Sequence, residues 1–555
     1  MKKRYSIGLD FGTNSVRALV VDIANGREVG TAVWYYERGR GGVILSHDPN
    51  LARQHPADYV KGAELSIKKA LAQAKRTVRG FQPHDVLGIG VDTTGSTPLP
   101  VDEKGHPLAF QKKFSRDPNA MAWLWKDHTG VKEAGEITEL AREIRPHFIA
   151  KCGGVYSSEW FFSKMLHCCR TSPEVADAAF RWVEIADWIP AMLAGTESPE
   201  TMTVGVCAAG HKAMHSDQWG GYPDEEFLSR LDKRLAAWAH RMPSKVHTAD
   251  RAVGGLTKEW AKKTGLKEGT PVATGAFDAH LGAVGAGVAT GTLVKIIGTS
   301  TCDIAVVPSD SPLSDIPGLC GVVDGSVLPH YFGLEAGQSA VGDIFNWFVQ
   351  YIRPKRGTHE ALAAAAAKLK AGESGLLALD WNNGNRTVLV DQQLSGLLVG
   401  QTLYTTGPEI YRALVEATAF GALTIINRFE EFGIPVEQVV NCGGIAEKNP
   451  FVMQVYADVT GRPMMVSRSG QTCALGAAIA GAVSAGGYSS FSDAQKAMTG
   501  LKERAFKPNS GEHAVYKELY PLYKVLHDAF GTKEWNGNLH SVMKKLIEIR
   551  NSTRK

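Results

Sequence analysis

The sequence is poor in cysteine, with 8 in 555 residues and none in a C-x-x-C pair. That excludes a disulfide-built scaffold and offers no zinc-ribbon spacing. No apolar run is long enough to span a bilayer. The basic start, Met1 to Arg4, leads into an apolar run that Asp10 breaks at once, which is not the pattern of a secretion signal. Charge of one sign is also scarce. A net charge of +4 lacks the basic footprint of a nucleic-acid or acidic-membrane binder. The apolar share of 44% and charged share of 21% are those of an ordinary globular protein. The expectation is a cytoplasmic protein of two large domains, or up to four smaller ones. The basic end, residues 544–555, reads as a solvated terminus.

Several phosphate and metal motifs are missing as well. There is no G-x-x-x-x-G-K-[ST] loop, no G-x-G-x-x-G opening a helix, and no H-E-x-x-H. Asp10-Phe11-Gly12 spells a tripeptide of protein kinases. Only nine residues precede it, and no H-R-D loop exists, so a protein-kinase lobe is excluded.

What is present begins at that same place. "IGLDFGTNSVRALVVD", residues 7–22, reads as strand, tight turn, strand, and Asn25-Gly26 then predicts a hairpin into a third strand. About half a chain later, "VKIIGTSTCDIAVV" repeats the pattern: apolar strand, Gly-Thr, a hydroxyl residue two positions on, apolar strand. Two such turns suggest a duplicated domain with a cleft between the copies. The Gly/Ala-rich stretch at 282–293 marks the crossing, dividing the chain into 1–285 and 286–555. Between the repeats, "VLGIGVD" reads as a buried strand and residues 120–190 as largely helical. "THEALAAAAAKLKAG" reads as a helix ended by Gly372.

The first turn has specific chemistry available to it. Gly12 lets backbone approach a phosphate, Thr13 and Ser15 add hydroxyls, and Arg17 can pair with phosphate oxygens. Asp10 at the strand end can hold Mg²⁺ through water. Taken alone, the turn reads equally as a polar hairpin. Asp278 stands among small and apolar residues in "VATGAFDAHLGAVGAG". Desolvation there would raise its pKa and make it a better base, while a helix N-cap is the plainer role. "VVNCGGIAEKNPFVMQVYADVTGRPMMV" reads as strand, Gly-Gly loop, helix started by Pro450, glycine stop, strand. Gly443-Gly444 leave room either for a flat ring or for tight helix packing.

The order of these features resembles the FGGY family of carbohydrate kinases over roughly residues 5–490. The resemblance implies a duplicated actin-like ATPase (ribonuclease H-like) α/β fold with an interdomain cleft, ATP and Mg²⁺, and a small sugar as partner. "GVDTTGSTPLPVD", "LWKDHT" and "GGVYSSEWFFSKMLH" most resemble the branch that phosphorylates ribulose, L-ribulose favoured, at O5 in L-arabinose breakdown. By that resemblance Asp10 serves the metal, and Gly12, Thr13, Asn14, Ser15 and Arg17 face the phosphates. Gly298 and Thr299 form the second clamp, and Gly443, Gly444 and Asn449 border the adenosine. Asp278 is the base. Ser96, Lys212, Asp278, Glu335, Trp125 and Asp127 are expected at the sugar. A homodimer is left open. The alternatives are a kinase for another pentulose or pentitol, such as xylulose or ribitol, and an actin- or chaperone-like ATPase with a protein partner.

Overall fold

The computed structural model describes residues 4–352 and 358–554; the first three residues of the basic start and Lys555 of the basic end lie outside the described residues. Three antiparallel strands come first: β1 (Tyr5–Phe11), β2 (Ser15–Asp22) and β3 (Arg27–Tyr35). Gly26 turns the second hairpin at φ +71°, and the Asn25 side-chain oxygen accepts the Arg27 N–H at 2.9 Å. Helix α1 (Pro56–Thr77) crosses over to β4 (Val86–Thr93), which lies parallel to β1. Strands β5 (Ala252–Gly255) and β6 (Pro271–Ala273) complete a sheet of order β3-β2-β1-β4-β6-β5. β1 and β4 are buried almost throughout, as strands covered on both faces must be. Residues 108–242 build a helical subdomain between β4 and β5, packed around Trp123, Trp182 and Trp238.

Helix α2 (Asp278–Gly285) leads out of the first half. The second half follows with β7 (Gly291–Ile297), β8 (Thr301–Pro308), β9 (Gly321–Asp324) and β10 (Tyr331–Ala336). The long helix α3 (Gly407–Glu431) comes next, with the reciprocal Thr406–Glu409 capping box at its start. Then come β11 (Val436–Cys442), α4 (Pro450–Thr460) and β12 (Met464–Val466). This sheet runs β9-β10-β8-β7-β11-β12. β7, β8, β10, β11 and β12 thus stand where β1, β2, β3, β4 and β6 stand in the first sheet. The repeat read from two hairpins extends to whole sheets.

Helix α5 (Thr472–Ser484) belongs to the second half by sequence but lies on the first sheet. Its approach requires glycine on the strands: a Cβ at Gly8 or Gly90 would sit 1.8 Å from the carbonyl oxygen of Ala474 or Ala477. α5 also crosses α2 at close range, where a Cβ on Gly476 would meet the Leu281 carbonyl oxygen at 1.7 Å. The small residues at the crossing are therefore a packing requirement.

Two local expectations fail. The alanine-rich helix is His359–Ala366 and stops short of Gly372. The basic end is no loose terminus: Val542–Arg554 forms a helix that buries Val542, Leu546 and Ile549, and Arg554 pairs with Glu409 at 3.0 Å. Three apolar side chains on one helical face outweigh the pull of the charges toward solvent. Among the described residues, no helix is long and apolar enough to cross a membrane.

Candidate active site

Both hairpin turns sit where parallel strands end side by side, the usual place for a ligand in an α/β sheet. In the first sheet, register sets Asp10 beside Asp92 and opposite Arg17. In the second, Ile296 lies beside Cys442, so Gly298 and Gly443 leave neighbouring strands. A cavity of about 230 Å³ opens between the halves. Gly298, Thr299, Asp278, Trp125, Lys212 and Glu335 all contribute to its wall.

The turns share a glycine that closes them, the second being one residue shorter. The Gly12 N–H closes onto the Ser15 carbonyl at 2.9 Å, and the Gly298 N–H onto the Ser300 carbonyl at 2.9 Å. The N–H groups left for a phosphate are therefore those of the residues after each glycine. No atom crowds either glycine: a Cβ at Gly12 would meet only the Ser15 carbonyl at 3.6 Å. The Asn14 amide is tied to the Gly41 carbonyl, so it shapes the turn. Trp125 donates its indole N–H to the Thr13 hydroxyl at 3.0 Å, fastening this cavity wall to the first turn.

Gly443 and Gly444 divide the two roles open to them. Gly443 has φ +93°, and a Cβ there would fall 2.5 Å from the Ile297 carbonyl, so it serves close packing. Gly444 has open space where its side chain would be, which leaves a flat face. Asn449 caps α4 by accepting the Val452 N–H at 3.2 Å.

Asp278 occupies the first position of α2 and accepts the Ala279 N–H at 2.7 Å; Phe277 holds the cap position. Burial, with the negative charges of Asp10 and Glu335 nearby, pushes its carboxyl up to about 7. Asp10 is likewise raised by burial, against the pull of Arg17, whose guanidinium is 3.8 Å away. Asp92 was not singled out from the sequence. It is fully buried, its side-chain hydrogen-bonding partner is the Asp10 carboxyl, and burial together with Asp10 and Asp278 raises it well above the ordinary range. Three crowded carboxyls with one nearby guanidinium fit a hard divalent cation such as Mg²⁺. The signal for Asp92 was present: "VLGIGVD", like "IGLD", is an apolar strand ending in Asp.

Lys212 and Glu335 meet across the cleft. The ammonium donates to both carboxylate oxygens, at 2.8 and 2.9 Å. Burial would raise the Glu335 carboxyl, but Lys212 outweighs it and holds the group well below the usual range. His211 Nδ1 and His280 Nε2 lie 3.4 and 3.7 Å from the same carboxylate. Burial lowers both imidazoles, His280 to about 4, so they are neutral at neutral pH. This trio has a metal-ligand composition, but the bidentate ammonium already occupies Glu335.

Two expected sugar residues are not on the cavity wall. Ser96 is fully buried and its hydroxyl donates to Glu184, while neighbouring Thr94 and Gly95 line the cavity. Asp127 is fully buried against Arg53 and accepts the Ala52 N–H at 2.7 Å. Both act one layer back, bracing loops that do reach the cavity. Lys164 ties those loops together, donating to the carbonyls of Ser96 (2.8 Å), Leu124 (2.9 Å) and Trp123 (3.3 Å).

Comparison with known proteins gives a consistent picture. Residues 5–285 match the N-terminal domain of the FGGY family of carbohydrate kinases, and residues 293–485 match its C-terminal domain. The chain is 43% identical over 546 residues to a ribulokinase of Vibrio parahaemolyticus, covering 94% of this chain and 95% of the relative. It is 41% identical over 569 residues to a ribulokinase of Shouchella clausii, covering 99% and 98%. Among solved structures, a gluconate kinase from Lactobacillus acidophilus superposes with a TM-score of 0.78 at 18% identity, over 96% of this chain and 99% of that one. A xylulose kinase from Rhodospirillum rubrum gives 0.74 at 24% identity, over 95% and 99%.

Proposed function

Because this chain belongs to the FGGY family of carbohydrate kinases, we propose that it transfers the γ-phosphoryl group of ATP to O5 of ribulose, L-ribulose favoured. The product, ribulose 5-phosphate, would serve L-arabinose breakdown. The duplicated actin-like fold and the ATP-dependent kinase activity come with the family. The substrate assignment is supported by the near full-length relatives named as ribulokinases.

The observation that carries the mechanism is the place of Asp278 on the cavity wall at the start of α2, where burial pushes its carboxyl up to about 7. An ionised carboxylate with that affinity can take the proton of a sugar hydroxyl as its oxygen attacks phosphorus. The helix start beneath it fixes its direction. The turns after Gly12 and Gly298 would grip the phosphates from two sides, with Arg17 and the Thr13, Ser15 and Thr299 hydroxyls completing the cradle. Gly444, with its open face, and Asn449 would border the adenine and ribose. Asp10 and Asp92 would hold Mg²⁺, which when bound neutralises charge on the phosphate oxygens. Lys212 and Glu335 offer donors and an acceptor to the sugar hydroxyls, and Trp125 an apolar wall. Positioning and fixed charge supply most of the rate in such a transfer.

A coupled ATP-consumption assay across L-ribulose, D-ribulose, L-xylulose, D-xylulose, ribitol and glycerol tests the substrate. Ribulose is expected to lead in kcat/KM by at least about tenfold, the worth of one well-made polar contact. Glycerol or D-xylulose leading by that margin, or ATP use indifferent to sugar, would overturn the reading.

A further inference from the structure

The loop at residues 382–392 reaches the cavity from the second half and brings Arg386 to its wall. Its neighbours on both sides are fixed. Asn385 and Asp391 exchange backbone hydrogen bonds at 2.8 and 2.9 Å, and the Asn385 side chain accepts the N–H groups of Val388 and Leu389 at 3.2 and 3.0 Å. Thr387 accepts the Gly337 N–H at 3.0 Å and meets Cys320 Sγ at 3.2 Å. Val390, a β-branched residue, is held at φ +53°, a conformation that persists only where surrounding structure imposes it.

Arg386 itself is left under-used. Its side chain is 19% exposed, and its charged partner is Glu159 of the first half, at 3.6 Å, too long for a hydrogen bond. Among the described residues no acceptor stands within hydrogen-bond distance of the five guanidinium N–H donors, and Glu159, on the same cavity wall, is the nearest charge, so a ligand oxygen can take them. The position in the cavity says which part of the ligand. Glu335 joins the two elements on the cavity wall: His280, two residues past Asp278, is 3.7 Å from its carboxylate, and Gly337, two residues beyond it, donates to Thr387 beside Arg386. An extended five-carbon ketose with its terminal hydroxyl at Asp278 would pass Lys212 and Glu335 and bring its carbonyl end toward Arg386.

We infer that Arg386 is a sugar-binding residue that donates hydrogen bonds to the carbonyl and O1 end of the ketose, remote from the phosphorylated hydroxyl. This rests on the pentulose-kinase reading above. The fixed flanks hold the Arg386 backbone in place before the sugar arrives, so little main-chain ordering accompanies binding. The planar fork suits two oxygens on adjacent carbons, which a lysine cannot match.

The test compares Arg386→Gln, Arg386→Lys and Glu159→Gln with the unaltered enzyme. Arg386→Gln is expected to raise the KM for ribulose roughly 10- to 100-fold, the loss of charged hydrogen bonds. The KM for ATP and the melting temperature should stay unchanged, and Arg386→Lys should recover part of the loss. Glu159→Gln, which also alters the cavity wall, should raise the sugar KM clearly less than Arg386→Gln does. With 1-deoxy-ribulose, the unaltered enzyme should lose affinity and Arg386→Gln should lose little more. An unchanged sugar KM in Arg386→Gln overturns the assignment. So does an equal rise in Glu159→Gln, which would make the pair a tie between the halves. If the panel selects another polyol, the same variants assayed with that polyol decide the role of Arg386 separately from the ribulose assignment.

Discussion

Asp278→Asn is expected to lower sugar phosphorylation by about a thousandfold, within the range for removing a general base, while ATP still binds. Asparagine keeps the shape and can still accept the Ala279 N–H, but it cannot take a proton. The same change should stabilise the fold at alkaline pH. In the folded chain burial raises the Asp278 carboxyl to about 7, above its unfolded value, so the native state holds the proton more tightly. Stability from this group is therefore present below the unfolded pKa and declines as pH rises through about 7. The melting temperature of Asp278→Asn should exceed that of the unaltered enzyme at pH 8, with the gap closing toward pH 5. In the unaltered enzyme kcat/KM for sugar should fall about tenfold per unit below the pKa of this carboxyl. Near-normal turnover in Asp278→Asn would remove Asp278 from the chemistry.

Lys212→Met is the second large effect. It leaves the buried Glu335 carboxylate without its bidentate partner, a change worth about 3–5 kcal/mol of stability. It should also raise the sugar KM by at least about a hundredfold, as a charged contact and its geometry are both lost. The double variant Lys212→Met with Glu335→Gln separates the two roles. Removing both charges should restore much of the stability, because no unpaired ion remains. Sugar affinity should stay low. Recovery of affinity along with stability would mean that the pair only ties the halves together.

The parts of the site legible in the sequence are those carried by backbone. A Gly-Thr turn between two apolar strands, occurring twice half a chain apart, is readable without any side-chain geometry, and the Gly443-Gly444 loop before Pro450 announces its own strand, turn and helix. Asp278 was visible because a charge stood in an apolar setting. Asp92 was not singled out because its importance depends on parallel register: β4 sets it beside Asp10 only once α1 has crossed the sheet. Ser96 and Asp127 show the opposite limit. Their neighbourhoods are at the cavity, but residue type does not reveal which way a side chain turns. Glu184 takes the Ser96 hydroxyl and Arg53 takes the Asp127 carboxylate, each from a distant element. The basic end reads as solvated by its charge, while the helical spacing of Val542, Leu546 and Ile549 is what buries it.

As proposed, Asp278 and the two turns direct the γ-phosphoryl group of ATP onto O5 of ribulose. Heteronuclear ³¹P–¹³C NMR of the product formed from ATP and L-ribulose tests it most directly. The expected result is one phosphate ester, coupled to C5, appearing mole for mole with ADP. A phosphate on another carbon, or inorganic phosphate released with the sugar unchanged, would contradict it.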